Sequence, residues 1–265
     1  MHENKTTIII LVYNSLKNLK NCILEINEII KIYSEVQNIL FVNNKSTDKS
    51  LEFIINNKHL INCQNISIIS NKQNYGMGGS QKIAFEYCIN NFDQNKICVL
   101  HSSGRTNIFE VYKELVKSIT NNEIALMSRY HKDSKLDNYS LIRNLGNKLF
   151  NFIVKIFTGK KILDHGSGIF LITTKLLKQT NYKNLSNGSD FNPQMNIIIF
   201  YITNKIGYSP VVWSEGAVKS HLNIYSYAIK LFMSLLTFYL NKKILRKNSF
   251  SFNSKNDHFE YHVTK

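Results

Sequence analysis

The alternation of apolar runs with segments of helical period over residues 6–130 constrains the fold most. Short β-branched runs, typical of buried strands, lie at 6–14, 36–44, 65–71, 96–100 and 124–130. Between them, apolar residues recur at helical spacing in four segments, at 15–33, 46–57, 76–91 and 107–121. Strands that alternate with helices form a doubly wound, mainly parallel sheet. We therefore predict an α/β fold.

The expected ligand site of such a fold lies at one edge of the sheet. Parallel α/β sheets bind ligands beyond the carboxyl ends of their strands. In this chain the segments after the first four strands are polar or rich in glycine, and they contain Tyr13-Asn14, Asn43-Asn44, 74–79 and 101–105. The sequence therefore predicts a pocket at this edge.

The pattern changes after residue 140. Two segments, 141–159 and 221–247, are apolar except for one narrow polar stripe each. The second approaches the ~20 residues that cross a bilayer, but Lys230 interrupts it. We predict that it lies in the membrane interface, with docking on the domain's own core as the alternative. A basic cluster that suits anionic lipid follows it: Lys242, Lys243, Arg246 and Lys247.

These features divide the chain into three parts. Residues 1–220 form the main domain, 221–247 the amphipathic helix, and 248–265 a tail that we expect to be poorly ordered. The N-terminus has no small-residue cleavage site and is interpreted as the first strand rather than a signal peptide. The four cysteines form no C-x-x-C pair, which favours reduced thiols and a cytoplasmic location.

The formal charge of +15 favours an anionic partner. Nucleic acid, an anionic membrane surface and phosphorylated substrates all fit that charge. No zinc-finger spacing and no RNP-type aromatic box is present, so no nucleic-acid partner is predicted.

Several short motifs, in order along residues 6–240, resemble one family. They are "ILVYN", "FVNNKSTDKS", "NKQNYGMGGSQKIAF", "VLHSSGRTN", "SRYHKDS", "DHGSGIFLITTKLL", "NPQMNII" and "VKSHLN". Together they resemble the inverting family 2 glycosyltransferases of the GT-A fold, and most closely the dolichol-phosphate mannose synthase-like branch. The resemblance implies transfer of a hexosyl group from a nucleotide-sugar donor to a polyprenyl-phosphate or glycan acceptor, with inversion. Such an enzyme would serve polysaccharide or lipid-linked glycan assembly, peripherally bound to the inner face of a membrane.

The resemblance also implies which residues hold the donor. Asn44 stands where the family's aspartate recognises the nucleotide base, and an amide can still donate and accept hydrogen bonds there. The positions matched to the donor site are Tyr13, Asn14, Asn43, Asn44, Asn74, Gly76, Gly78, His101 and Ser103.

The family's metal motif D-x-D is replaced here by His101, Ser102 and Ser103. Mg²⁺ and Mn²⁺ prefer carboxylate oxygens, so no residue of this chain is predicted as a metal ligand from the motif alone. Three alternatives follow: metal-independent catalysis with arginine charges, Mn²⁺ or Mg²⁺ held by His101 and the donor diphosphate, or a catalytically inactive relative that binds nucleotide sugar or glycan. We expect the first, in which guanidinium groups stabilise the leaving diphosphate.

The resemblance supplies candidates for the chemistry. Arg105, Arg129 and Arg143 are expected to contact phosphates. A polyprenyl phosphate needs no general base, because a phosphate monoester is largely ionised near neutral pH (pKa roughly 6). A sugar hydroxyl would need one, and Asp190, with Asp164 behind it, is the candidate.

Two further departures remove positive charge expected near the acceptor phosphate. Phe170 and His221 stand where the branch keeps Arg and Lys. Two other classes of protein share some of these features. A sugar nucleotidyltransferase needs a glycine-rich loop directly after the first strand, and "VYNSLKN" lacks it. A nucleic-acid binder explains the charge but not the ordered motifs.

Overall fold

The structure, a computed structural model, describes residues 5–160, 162–215, 224–241 and 257–264, with side chains from residue 227 in the third range. The strands are β1 (Thr6–Val12), β2 (Val36–Asn43), β3 (Asn65–Asn71), β4 (Lys96–His101), β5 (Ile124–Met127), β6 (Lys135–Asp137), β7 (Phe170–Thr173), β8 (Ile206–Ser209), β9 (Val212–Ser214) and β10 (Tyr261–Thr264). The α-helices are α1 (Leu16–Ile32), α2 (Ser50–Asn57), α3 (Gly76–Asn91), α4 (Ile108–Ile119), α5 (Leu141–Thr158), α6 (Thr174–Gln179), α7 (Phe191–Ile202) and α8 (Ile224–Tyr239). Short 3₁₀ turns occupy Lys58–Leu60 and Tyr182–Asn184.

The central sheet has the strand order β10-β3-β2-β1-β4-β7-β5-β8. β1 pairs in parallel with β2 and β4, and β2 pairs in parallel with β3. This arrangement confirms the predicted mainly parallel sheet. β7 is antiparallel to both of its neighbours, β4 and β5, which the local sequence did not predict. A small separate sheet pairs β6 with β9 in parallel.

Hydrophobic side chains cover both faces of the sheet. Along β1, Ile8 and Ile10 belong to the cluster under α1, α2 and α4, whereas Ile9 belongs to the cluster on the other face. Alternate residues of a strand point to opposite faces, so a run of consecutive isoleucines is what a strand covered on both sides requires. The helix α4 begins at a cap in which Asn107 accepts a hydrogen bond from the Glu110 backbone N–H.

The helix α8 packs on the domain's own core. Its residues Leu231, Leu235 and Phe238 are at most 2% exposed and belong to the same cluster as the helices α3 and α7. Docking on the domain's own core, the alternative to a place in the membrane interface, is therefore correct for one face of this helix. The basic cluster at 242–247 lies outside the described residues. Among the helices that the structure describes, none combines the length and the apolar content needed to cross a membrane.

The prediction of a poorly ordered tail is wrong for its last residues. β10 pairs antiparallel with β3 and extends the sheet at that edge. The Asp257 carboxylate lies 2.9 Å from the Lys82 amine, and Phe259 packs edge-on against Tyr75 with ring centroids 5.0 Å apart. Contacts with residues far away in the chain therefore order this segment. Its local composition could not predict them.

Candidate active site

A cavity of about 430 Å³ opens at the carboxyl edge of the sheet, between the end of β4 and the helices α5 and α8. Its inner end is lined by the three predicted arginines and by aromatic residues. Its outer walls are apolar side chains of the two helices. The lining residues include His101, Arg105, Arg129, Tyr139, Ile142, Arg143, Leu149, Ile153, His165, Trp213, Glu215, Tyr227, Leu231 and Phe232.

Arg129 is bound by the predicted carboxylate Asp164. The guanidinium Nε and Nη2 donate to the two carboxylate oxygens at 2.8 Å each, and Nη1 donates to the Tyr139 hydroxyl at 2.9 Å. Burial opposes both charges, but their attraction outweighs it: the pKa of Arg129 is raised and that of Asp164 is lowered. Asp164 therefore fixes Arg129 and is not placed as a proton acceptor.

Arg105 lies over the indole ring of Trp213, with Cζ 5.8 Å from the ring centroid. Arg129 Cζ lies 5.4 Å from the same ring. Burial lowers the pKa of Arg105; the Glu215 charge opposes this, and the charges of Arg143 and Arg129 add to it. Two of the three predicted arginines therefore stack on one tryptophan, and all three line the same cavity.

Arg143, in the first turn of α5, pairs with Glu215, which directly follows β9. The guanidinium Nη1 donates to the carboxylate at 2.7 Å, and the side chains are only 23% and 15% exposed. The Glu215 backbone N–H donates to the Asp137 carbonyl of β6, so the small sheet positions this carboxylate. A charge-assisted pair of this kind is strong when it is shielded from water.

His101 ends β4 at the place of the missing metal motif. Burial, and secondarily the charge of Arg105, lowers the pKa of His101 to about 4, so its imidazole is neutral near pH 7. Its Nε2 is buried and has no hydrogen-bond partner among the described residues. A neutral imidazole cannot supply the positive charge that a leaving diphosphate needs.

The residues around His101 do not fit a hard divalent cation. The Ser102 hydroxyl donates to the Leu11 carbonyl at 3.1 Å, and the Ser103 carbonyl accepts from the Asn18 amide at 3.0 Å. No cluster of three or more His, Cys, Asp or Glu side chains suited to a metal occurs in the part of the chain that the structure describes. A cation held through His101 would therefore have to take the oxygen ligands that Mg²⁺ and Mn²⁺ prefer from the donor diphosphate.

The residues predicted to hold the donor lie at the same edge, but their side chains bind other parts of the protein. Asn14 Oδ1 accepts from the Thr47 backbone N–H at 2.7 Å, and Asn43 Oδ1 accepts from that of Ser46 at 3.2 Å. Tyr13 is 46% exposed. The two asparagine side chains therefore shape the loops after β1 and β2.

The amide of Asn44 is fully engaged. Its Nδ2 donates to Asn74 Oδ1 at 2.8 Å, and its Oδ1 accepts from the Tyr75 backbone at 2.9 Å and from Asn71 Nδ2 at 3.1 Å. The prediction that this amide recognises a base does not fit these bonds, because both of its polar atoms hold the loop between β3 and α3. Asn44 therefore positions this loop.

Close packing explains the glycines at the start of α3. A Cβ atom on Gly76 would lie 2.5 Å from the Asn187 carbonyl oxygen, and one on Gly78 would lie 2.6 Å from Phe191 Cβ. The Gly78 backbone N–H donates to the Gly188 carbonyl at 3.3 Å. The first turn of α3 is therefore packed and hydrogen-bonded against the loop before α7.

Asp190, the other predicted base, does not line the cavity. Its carboxylate accepts from the Ser186 hydroxyl at 2.8 Å and from Gln194 Nε2 at 3.0 Å, and the residue is 5% exposed. Phe170 lies in the core on β7, so the arginine expected there would not have faced the cavity. His221 lies outside the described residues.

Glu215 and Trp213 were not among the residues predicted from the sequence. Both follow from the rule that predicted the other site residues, because "PVVWSEG" is a short apolar run that ends in a polar residue. Their contact partners in the structure, Arg143 and Arg105, are more than 70 residues away along the chain.

The mainly parallel sheet and the cationic cavity at its carboxyl edge agree with the predicted GT-A-type glycosyltransferase. The sequence matches the profile of glycosyl transferase family 2 over residues 7–180, so the chain belongs to that family. No curated protein matches the sequence.

Solved structures confirm the predicted GT-A fold. One is glucosyl-3-phosphoglycerate synthase from Mycobacterium tuberculosis in complex with uridine diphosphate (UDP), with a TM-score of 0.64, 12% identity, and 89% of this chain and 80% of that chain covered. A second structure of that synthase holds Mn²⁺, UDP and glucosyl-3-phosphoglycerate, with a TM-score of 0.62, 11% identity, and 88% and 79% covered. A third is S. aureus TarS 1–349 in complex with UDP-GlcNAc, with a TM-score of 0.57, 15% identity, and 92% and 73% covered.

Proposed function

We propose that this glycosyltransferase moves a hexosyl group, with inversion, from a nucleotide sugar to a polyprenyl phosphate at the inner face of a membrane. The observation that carries the proposal is the cavity, which joins an arginine-lined inner end to apolar walls. An acceptor that suits both ends has an anionic head and a long apolar chain. A free glycan would leave the apolar walls without a partner.

Arg143 and Arg105 are the lining arginines that Asp164 does not bind. Three N–H donors of Arg129 are already hydrogen-bonded to Asp164 and Tyr139. Arg129 therefore contributes its positive charge to the site rather than a new hydrogen bond to the ligand. Arg143 lines the cavity at the start of α5, closer to the apolar walls, and suits the acceptor phosphate. Arg105, four residues after His101, suits the donor diphosphate.

The apolar walls continue onto an exposed surface. On α5, six large apolar residues are 58–77% exposed: Leu141, Ile142, Leu145, Leu149, Phe152 and Ile156. The buried side of the same helix carries Asn151, which donates to the Leu163 carbonyl at 2.8 Å. α8 adds Ile229, Phe232 and Met233, which are 65%, 47% and 53% exposed.

The chemistry of this surface suits an anionic membrane. No acidic residue occurs between Asp137 and Asp164 or between Glu215 and Asp257, whereas Arg143, Lys148 and Lys155 lie on α5. An apolar helix face with basic residues binds at the headgroup boundary of anionic bilayers. A polyprenyl phosphate would then enter the cavity without leaving the lipid.

In the proposed reaction, an oxygen of the acceptor phosphate attacks the anomeric carbon opposite the nucleoside diphosphate. The new C–O bond forms as the bond to the diphosphate breaks, and the diphosphate leaves with the electron pair. No proton acceptor is needed, because the attacking phosphate is ionised. Arg105 stabilises the charge that develops on the leaving group, which makes the reaction independent of a carboxylate-held metal.

Trp213 provides a direct test, because it is the sole tryptophan of the chain and it lines the cavity. We expect farnesyl phosphate to change the tryptophan fluorescence of the full chain and to bind more tightly than farnesol. Arg143→Gln should weaken farnesyl phosphate binding roughly 10- to 100-fold, because it removes a hydrogen bond to a charged group.

Lys148→Gln is the matched control, since it removes one positive charge from the same helix at an exposed position outside the cavity lining. It should leave binding within about twofold, because a solvent-exposed charge is screened. Equal affinity for farnesyl phosphate and farnesol would contradict the proposed acceptor.

A further inference from the structure

Glu215 is the carboxylate of the cavity. Of the described residues that line it, no other carries a carboxyl group. Two features hold Glu215 in place: its backbone N–H donates to the Asp137 carbonyl at 3.1 Å, and its carboxylate accepts from Arg143 at 2.7 Å. Neither Asp164 nor Asp190, the carboxylates predicted from the sequence, lines this space.

The role of the Glu215 carboxylate follows from the other charges at the inner end of the cavity. Asp164 neutralises Arg129 through a buried two-point contact at 2.8 Å. Among the described residues of the lining, Glu215 is then the one negative charge beside the two remaining guanidinium groups, those of Arg105 and Arg143. An incoming phosphate must share Arg143 with this carboxylate or displace it.

We infer that Glu215 occupies the place of the acceptor's anionic head on Arg143 and thereby sets how tightly the site binds a phosphate-headed acceptor. The inference rests on the proposed function. Glu215 is accordingly a specificity-determining residue that balances the arginine charge and is exchanged for phosphate when an acceptor enters. A neutral-headed amphiphile cannot make this exchange.

Glu215→Gln tests the role with little change in shape. The amide oxygen can still accept the hydrogen bond of Arg143, so the substitution removes the charge but keeps the position. We expect about fivefold to tenfold tighter binding of farnesyl phosphate by Trp213 fluorescence, because a like charge beside the phosphate is removed. Binding of farnesol should be unchanged.

Two controls accompany this variant. Glu52→Gln makes the same change in net charge at an exposed position on α2 outside the cavity, and it should have no effect on either probe. Glu215→Asp retains the negative charge and should bind farnesyl phosphate like the unaltered protein. Chemical denaturation of each variant verifies that the chain is folded.

The outcomes separate this inference from the proposed function. If Glu215→Gln binds farnesyl phosphate no more tightly while Arg143→Gln still weakens it, the role of Glu215 is wrong and the acceptor class stands. If turnover falls 100-fold at unchanged affinity, Glu215 is a proton acceptor and the inference is overturned. If the unaltered protein does not prefer farnesyl phosphate to farnesol, the proposed function itself has failed.

Discussion

Two histidines line the cavity: His165 is buried, and His101 is partly buried with its Nε2 atom shielded from solvent. Burial lowers the pKa of each to about 4. For His165, Asp164 opposes this shift and Arg129 adds to it, and the ring nitrogen Nδ1 lies 2.6 Å from Asn151 Oδ1. Both imidazoles are therefore neutral at physiological pH, which leaves the positive charge of the site to arginine.

The same shifts predict acid sensitivity of the fold. Between pH 6.5 and about 4 the unfolded chain binds protons that the two native imidazoles exclude, so the free energy of unfolding falls as the pH falls. We expect a loss of about 1–2 kcal/mol per histidine between pH 7 and pH 5. Urea denaturation at several pH values measures it.

His165→Gln is the informative variant, because it removes one of the two titrating groups. Its stability should fall less steeply with pH than that of the unaltered chain, whatever its stability at pH 7.5. Glu25 acts in the opposite direction, since burial raises its pKa, but it is common to both proteins. An identical pH slope for the two proteins would show that His165 is not held neutral.

The helix α5 is amphipathic, but its polar stripe faces the protein and many of its large apolar residues face solvent, which is the opposite of an ordinary surface helix. Asn147 donates to the Tyr139 hydroxyl at 2.7 Å and Asn151 is buried, while Leu145 and Phe152 are 67% and 58% exposed. The narrow polar stripe was visible in the sequence. Which side of the helix faces the protein depends on Tyr139 and Leu163, and no periodicity reveals those partners.

This reversal predicts membrane binding that depends on α5. The double variant Leu145→Gln/Phe152→Gln should bind phosphatidylglycerol-containing vesicles at least about tenfold more weakly, because each substitution removes apolar area that enters the lipid. Co-sedimentation measures the loss. The matched control is Leu24→Gln/Leu60→Gln, at apolar positions that are 55% and 49% exposed on other elements. Equal loss in both double variants would argue against docking through α5.

The fold as a whole was largely predictable, and the site only in part. Strands β1 to β5 and helices α1 to α4 lie where residue patterns place them, because each buries a periodic apolar face. β7 and β10 were not predicted, since their antiparallel pairing depends on strands far away in the chain. The arginines were identified, but their partners Asp164 and Glu215 could be assigned only from three-dimensional contacts.

Three of the molecule's positive charges meet at the cavity. The net charge of +15 was compatible with several partners, and the arrangement of Arg105, Arg129 and Arg143 narrows the choice. Guanidinium groups in a shielded cavity stabilise a developing diphosphate charge without reorganisation. The central claim is therefore that arginine charge replaces a metal ion bound by carboxylates.

The most direct measurement is the rate of sugar transfer to farnesyl phosphate in EDTA and in Mn²⁺. The donor is the nucleotide sugar that most stabilises the chain in a thermal-shift panel of UDP-glucose, UDP-GlcNAc and GDP-mannose. We predict rates within about twofold in the two conditions, and a loss of at least about 100-fold in both for Arg105→Gln. Transfer that EDTA abolishes and Mn²⁺ restores would contradict the account.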